Sequence, residues 1–527
     1  MNRHSAHRAA SRTRDSLRSL LVFVVTLAVL AGAVWGGWTI MRRGGLAALR
    51  GTLTGETNGS GDAGGNPVTV AVHGAAPQSL DIRTDASSAV EQALIGNVYE
   101  TLVGRDQNNR AMPGLAASWD VSADGLTYTF RLRSGMRFSN GDVLDAQDVV
   151  RSLQRTVSDR YAGASDLTGL ASVSNPDAAT VTVTLLSPDA ALPWRLSGRA
   201  GIVYDLDAQT DYAAAALGSG PFTVSGFSPG SSLTLERDGA YWNRDGRAAS
   251  PSVTLRYYDD GAAAADAVTR GEADAATDVP AASLDALRGA GATPAQGDST
   301  RKVLLGFNAR ADSIFSEVRL RQGMRYVIDR QRIIDANGAA AALGGPIPSL
   351  DPGYEDLTGL YPHDTAKAHA LLDYFGYRYR LRLVYPASLG TQVGDLVAGS
   401  MRDFGYDVTV SAVDDATWRE QVTERHEFDL TIFPMDASHD VTELASPDFF
   451  LGYTDSVAEG LAAAVRASAD EAAYETNLRA LGRRLSENAI ADFLYVERPW
   501  SASRAGVTGM PLNRTDVFLP LAGLARA

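Results

Sequence analysis

From Val68 onward, short runs of β-branched residues alternate with segments whose apolar residues recur every three or four positions. Strands are predicted at Val68–Val72, Thr127–Leu132, Val181–Leu185, Ser232–Leu235, Val253–Tyr257, Val303–Phe307, Leu381–Tyr385 and Leu430–Phe433. Helices are predicted at Ala262–Arg270, Ala282–Gly289, Glu317–Asp329, Thr365–Phe375, Gln392–Phe404 and Tyr474–Asn488. Asp124-Gly125 is a turn pair leading into the strand Thr127–Leu132. Asp145 stands where it caps a helix whose apolar positions are Val149, Val150, Leu153 and Val157. Asp364 caps the helix beginning at Thr365, and Gly376 ends it. Strands alternating with helices argue for α/β lobes built on mixed sheets. At 527 residues the chain exceeds one hydrophobic core, so two or more lobes are expected.

The first 66 residues follow a different pattern. Leu20 to Met41 carries no charge over 22 residues, enough for a helix to cross a hydrocarbon layer of about 30 Å. Arg3, Arg8, Arg12, Arg14 and Arg18 precede it and only Arg42 and Arg43 follow directly, which orients residues 1–19 toward the cytoplasm and the rest outside. The competing reading is a signal peptide cut after Ala31-Gly32-Ala33. In both cases the bulk of the chain is exported. Residues 42–66 are rich in Gly, Thr, Asn and Ser and read as a flexible linker.

Charge and composition narrow the function. The first 50 residues hold eight Arg and one Asp, so the remaining 477 carry a net charge of −21. Such a domain is repelled by phosphate backbones, and nucleic-acid binding is excluded. There is no cysteine, which removes disulfides, thiolate metal sites and cysteine nucleophiles. No Gly-x-Ser-x-Gly, His-Glu-x-x-His, Walker loop or Gly-x-Gly-x-x-Gly occurs, and no catalytic residue or cofactor is assigned.

A set of short motifs carries a resemblance. Tyr99-Glu100-x-Leu102, Pro113-x-Leu115-Ala116-x-Ser118-Trp119, Asp124-Gly125-Leu126-Thr127-Tyr128-Thr129-Phe130 and Asn140-Gly141-Asp142 come in that order. Gly218-Ser219-Gly220-Pro221-Phe222, Tyr241-Trp242, Leu305-Gly306-Phe307-Asn308, Ile328-Asp329-Arg330 and Trp418 follow. Together they resemble the family-5 extracellular solute-binding proteins, the ligand-capturing subunits of dipeptide, oligopeptide and nickel ABC importers. The resemblance implies a two-lobed α/β fold of the periplasmic-binding-protein type (type II, peptide-binding cluster) with an extra subdomain in lobe I, here preceded by one transmembrane helix. It places lobe I at residues 67–300, lobe II at 301–490 and the return to lobe I at 491–527. The implied role is that of a monomeric, membrane-tethered receptor that encloses a small peptide between closing lobes and serves ABC permease subunits. A non-peptide solute such as a nickel chelate or oligosaccharide is the alternative within binding. An anchored sensor or scaffold on the same fold is the alternative outside transport.

The same resemblance points to site residues. Relatives hold the ligand's ammonium with a carboxylate that follows a strand, and Asp436 and Asp440 stand at that place in Phe428-Asp429-Leu430-Thr431-Ile432-Phe433-Pro434-Met435-Asp436-Ala437-Ser438-His439-Asp440. The relatives' tryptophan and Asp-Pro are missing there, so Asp436 or Asp440 capping a loop is the competing reading. Asp81, in Ser79-Leu80-Asp81, is placed on the lobe I side of the cleft. Tyr99, Asn308 and Phe433 are further cleft candidates, each open to a packing role. His439 is expected to be solvated rather than a metal ligand, since no second histidine stands at a ligand spacing. Trp119, Trp242 and Trp418 are expected in the core.

Overall fold

The computed structural model describes residues 65–375, 380–515 and 518–527. The predicted span Leu20–Met41, its linker up to residue 64 and the helix stop at Gly376 lie outside them. Among the described residues, no helix is long and apolar enough to cross a membrane.

Two mixed sheets organise the chain. The first has seven strands, in the order Ala292–Gln296, Trp500–Arg504, Ala275–Val279, Val68–His73, Ser252–Tyr258, Ser232–Arg237 and Phe222–Ser228. The second has six: Ala340–Ala341, Ala491–Glu497, Lys302–Phe307, Leu430–Met435, Arg380–Pro386 and Asp407–Val413. Both mix parallel and antiparallel pairs. A separate antiparallel sheet of four strands, Ala116–Val121, Thr127–Leu132, Thr180–Leu185 and Leu170–Asp177, forms the inserted subdomain.

The central strands of the second sheet are buried on both faces. Leu304, Phe433 and Phe493 point into one apolar cluster, and Val303, Leu305, Ile432 and Leu494 into another on the opposite side. That two-sided burial explains why Ala491–Glu497 escaped prediction: a strand with no wet face shows no alternation. Thr127–Leu132 and Gln392–Phe404 form where predicted. Asp145 accepts a hydrogen bond from the Gln147 amide at 2.7 Å, while its own amide donates to Asp148 at 3.0 Å, closing a capping box. One position of this helix departs from expectation. Val157 is exposed and Thr156 is buried, because the stripe runs through Val149, Leu153 and Thr156 at seven-residue reach.

Three of the sequence motifs meet around one carboxylate. Glu100 accepts hydrogen bonds from Ser219 Oγ (2.9 Å), Tyr241 Oη (2.7 Å) and Trp242 Nε1 (2.8 Å). Burial pushes its carboxyl up to about 7, against the pull of these three donors.

Two short crossings join the sheets. Residues 297–301 lead from the first sheet into the second, and Arg498-Pro499 lead back. They are tied to each other: the Gly297 amide donates to the Pro499 carbonyl (3.0 Å), Ser299 Oγ to the Glu497 carbonyl (2.8 Å) and Gln296 Nε2 to the Arg498 carbonyl (3.0 Å). Paired crossing strands of this kind form a hinge, absorbing rotation in a few backbone torsions.

Candidate functional site

A cavity of about 420 Å³ opens beside the crossings. Ser88 and Gln92 reach it from the helix Ser88–Leu94, Arg301 from the first crossing, Glu497 from the end of the strand Ala491–Glu497 that leads into the second, and Asp436 and Ala437 from the loop that leaves the strand Leu430–Met435. Arg301 Nε lies 3.0 Å from Glu497 Oε1 and 3.3 Å from Asp436 Oδ1, one cation between two carboxylates. Burial raises the Glu497 carboxyl above its usual range, and Arg301 offsets part of that. A second pair, Arg514 with Asp278, completes the lining. The cavity thus offers both signs of charge around one space, suited to a zwitterionic or amine-bearing solute.

The six site candidates separate. Only Asp436 lines this cavity, with 61% of its side chain exposed. Asp440, four residues on, is buried against Lys302, whose Nζ lies 2.7 and 2.8 Å from its two oxygens. Asp81 forms a bidentate pair with Arg83 at 2.7 and 3.0 Å; partial burial raises its carboxyl, but Arg83 outweighs this and holds it below the usual range. Tyr99 is fully buried in the core of the first lobe, its ring 5.7 Å from that of Tyr204. Phe433 is core in the second lobe. Asn308 stands at the opposite end of its strand from Lys302, where Nδ2 donates to the Phe428 carbonyl at 2.9 Å.

The other side of the same loop meets the subdomain. Asn109 Nδ2 donates to Asp351 Oδ1 (2.9 Å) and Ser438 Oγ (3.0 Å), while Trp194 Nε1 donates to Asn109 Oδ1 (3.2 Å). Arg105 lies over the Trp194 ring at 4.4 Å. The turn at Gly125 packs so closely on Ala469 that a Cβ there would come within 2.8 Å of Ala469 Cα, and its φ of +70° already favours glycine.

His439 corrects the expectation of a solvated ring. Its imidazole stacks on Trp194 with centroids 4.0 Å apart, and its Nδ1 lies 2.9 Å from Tyr474 Oη. Its backbone is left-handed (φ 61°), held by the amide's bond to Asp351 Oδ2 at 3.2 Å. Burial, reinforced by the charges of Arg105, Arg195 and Lys302, pushes it down to about 3, so the ring is neutral. Trp119, Trp242 and Trp418 are half-buried, packed against the apolar clusters rather than within them, and Trp418 Nε1 donates to Thr431 Oγ1 at 3.0 Å.

Sequence reasoning missed Arg301, Glu497, Asn109 and Trp194. A signal existed for the first two: both are charges set at the expected crossings. Nothing local marks Asn109 or Trp194, which matter only because a distant loop returns against them.

Comparison with known proteins bears on the family and the fold. The profile of the bacterial extracellular solute-binding proteins, family 5 Middle, matches residues 110–456. The glutathione-binding protein GsiB of Pectobacterium atrosepticum is 28% identical over 303 residues, covering 56% of this chain and 58% of that protein. The chain therefore spans little more than half the length of this curated relative. Among solved structures, the ABC transporter substrate-binding protein CtaP of Listeria monocytogenes matches with a TM-score of 0.78 at 19% identity, over 88% of this chain and 99% of its own. DppA of Helicobacter pylori, in complex with the peptide STSA, matches with a TM-score of 0.69 at 19% identity, over 88% and 98%. These likenesses support the two-lobed α/β fold. With two thirds of its length matched by the family profile, the chain belongs to the bacterial extracellular solute-binding proteins of family 5.

Proposed function

We propose that the chain is the extracytoplasmic receptor of an ABC importer and captures a small peptide or peptide-like solute in the cavity at the hinge. Family membership makes it a binding protein rather than an enzyme. The observation that carries the peptide reading is Asp436, a carboxylate exposed in the hinge cavity and paired only at its rim with Arg301. A ligand ammonium brought to Asp436 and Glu497 gains two carboxylates, and Arg301 and Arg514 remain for the ligand's own carboxylate. Lobe closure then follows from contacts that exist only when both lobes touch the solute. GsiB is named for glutathione and DppA holds a peptide, and both fit this ligand class.

The finer organisation belongs to the same proposal. Residues 67–300 and 491–527 form lobe I and 301–490 lobe II. Leu20–Met41 is a single-pass anchor with residues 1–19 in the cytoplasm, and residues 42–66 are a tether that keeps a monomeric receptor near its permease. The decisive experiment is mass spectrometry of solute co-purifying with the chain, followed by calorimetry of the recovered compound. A peptide whose affinity falls at least tenfold in Asp436→Asn supports the reading; a recovered solute indifferent to Asp436 ends it.

A further inference from the structure

Apart from the two crossings, the lobes meet where the turn at residues 106–110 and the short helix Leu192–Arg195 of the first lobe reach the second. Ala191, just before that helix, is buried in the apolar cluster that also holds Phe433, Val441 and Tyr474. Trp194 stacks on His439, Arg110 Nη1 lies 3.4 Å from Glu475 Oε1, and Gly125 packs on Ala469. None of these side chains lines the cavity at the crossings, so a solute held there does not make these contacts.

Asn109 is the polar centre of this interface, 2% exposed. The Trp194 indole can only donate, so Asn109 Oδ1 faces it and Nδ2 faces Asp351 and Ser438. Its backbone is left-handed (φ 64°), a conformation that asparagine tolerates. Asp351 and Ser438 are buried as well, so parting the lobes here would break the whole set at once. Asp351 also accepts from the His439 amide, on the loop whose earlier residues Asp436 and Ala437 line the hinge cavity. One loop therefore carries a wall of the cavity and a face of the interface.

Two bodies on a hinge favour the shut form by whatever contacts exist only when they are shut. We propose that this interface is a latch that sets capture affinity from outside the cavity: Asn109, Ala191 and Trp194 of the first lobe hold Asp351, Ser438 and His439 of the second. The solute then adds its own contacts to a closure that the protein already favours. A solute that binds the shut form has an apparent affinity scaled by the fraction of molecules that are shut, so residues that never touch it determine how tightly it is held. The effect on affinity rests on the solute-capture reading above; the latch itself rests on the hinged lobes alone.

The chain has no cysteine, so Val143→Cys and Val457→Cys, both at exposed positions, place one spin label on each lobe of the full-length protein. Pulsed electron resonance reads their separation without solute, and calorimetry reads the affinity for trialanine. Asn109→Asp sets a carboxylate against that of Asp351; it should lengthen the separation and weaken trialanine at least tenfold. Adding Asp351→Asn exchanges the two groups, so that one donor again faces one acceptor. That double variant should regain the parent separation and come within twofold of the parent affinity. Ala469→Trp, a wedge at the part-exposed contact with Gly125, should lengthen the separation by an independent route and decides alone if Asn109→Asp does not fold. A separation that neither substitution changes overturns the latch, whatever trialanine does. A lengthening by Asn109→Asp that Asp351→Asn fails to reverse overturns it too, since it marks damage rather than a broken pair. Reversible lengthening with trialanine silent in every form supports the latch and counts against the peptide reading.

Discussion

Asp436 and Asp440 sit four residues apart on one loop and do opposite work. Asp440 is 5% exposed and gives both oxygens to the ammonium of Lys302, itself wholly buried. Asp436 is 61% exposed and touches Arg301 with one oxygen at 3.3 Å. Burial makes the first pair costly to break, since removing one partner leaves a charge without water or counterion. Exposure makes the second pair weak and exchangeable, since water competes for both partners. The loop thus has a fixed end and an available end, and Lys302 orients the available one by clamping the fixed one.

The largest effect that would sharpen this contrast is Lys302→Met. It should destabilise the protein by about 3–5 kcal/mol in urea unfolding, the range for orphaning a buried charge. Adding Asp440→Leu should recover most of that loss. If Lys302→Met alone is neutral, Asp440 is not clamped.

Glu100 extends the comparison to a buried carboxylate with neutral donors and no cation bonded to it. Its folded-state value is raised from 4.5 to about 7, so the folded protein holds a proton that the unfolded chain has released. Stability should therefore be highest below about 4.5 for this group and fall as pH rises toward 7, by at most about 3 kcal/mol at 1.36 per unit. Glu100→Gln should flatten that slope in thermal unfolding across the same window. A slope unchanged by the substitution assigns it to other groups.

Smaller still is the expected consequence of Asp436→Asn for the captured solute. A tenfold affinity loss by calorimetry corresponds to about 1.4 kcal/mol. The same variant should unfold within about 0.5 kcal/mol of the parent, as exposed pairs do. A large stability loss here would erase the distinction between the two aspartates.

Much of the fold was legible because its signals are local. The hairpin at Asp124-Gly125, the cap at Asp145 and the strand Thr127–Leu132 each follow from a few adjacent residues. Ala491–Glu497 was not, because a strand wrapped on both faces reads as a plain apolar run. The candidate site was legible only as a place. The loop after Phe433 was singled out from sequence, yet nothing in the string Asp436-Ala437-Ser438-His439-Asp440 says which carboxylate is free. That is decided by Lys302, 138 positions away from Asp440.

The sequence alone determined the α/β character and the family, since periodicity, caps and motif order act over a few residues at a time. Tertiary structure alone decided that Asp440 is clamped, that Asp436 faces a cavity, and that His439 lies neutral between Trp194 and Tyr474. Those outcomes depend on which distant groups share a volume from which water is excluded. Burial sets the strength of every charge and hydrogen bond within that volume.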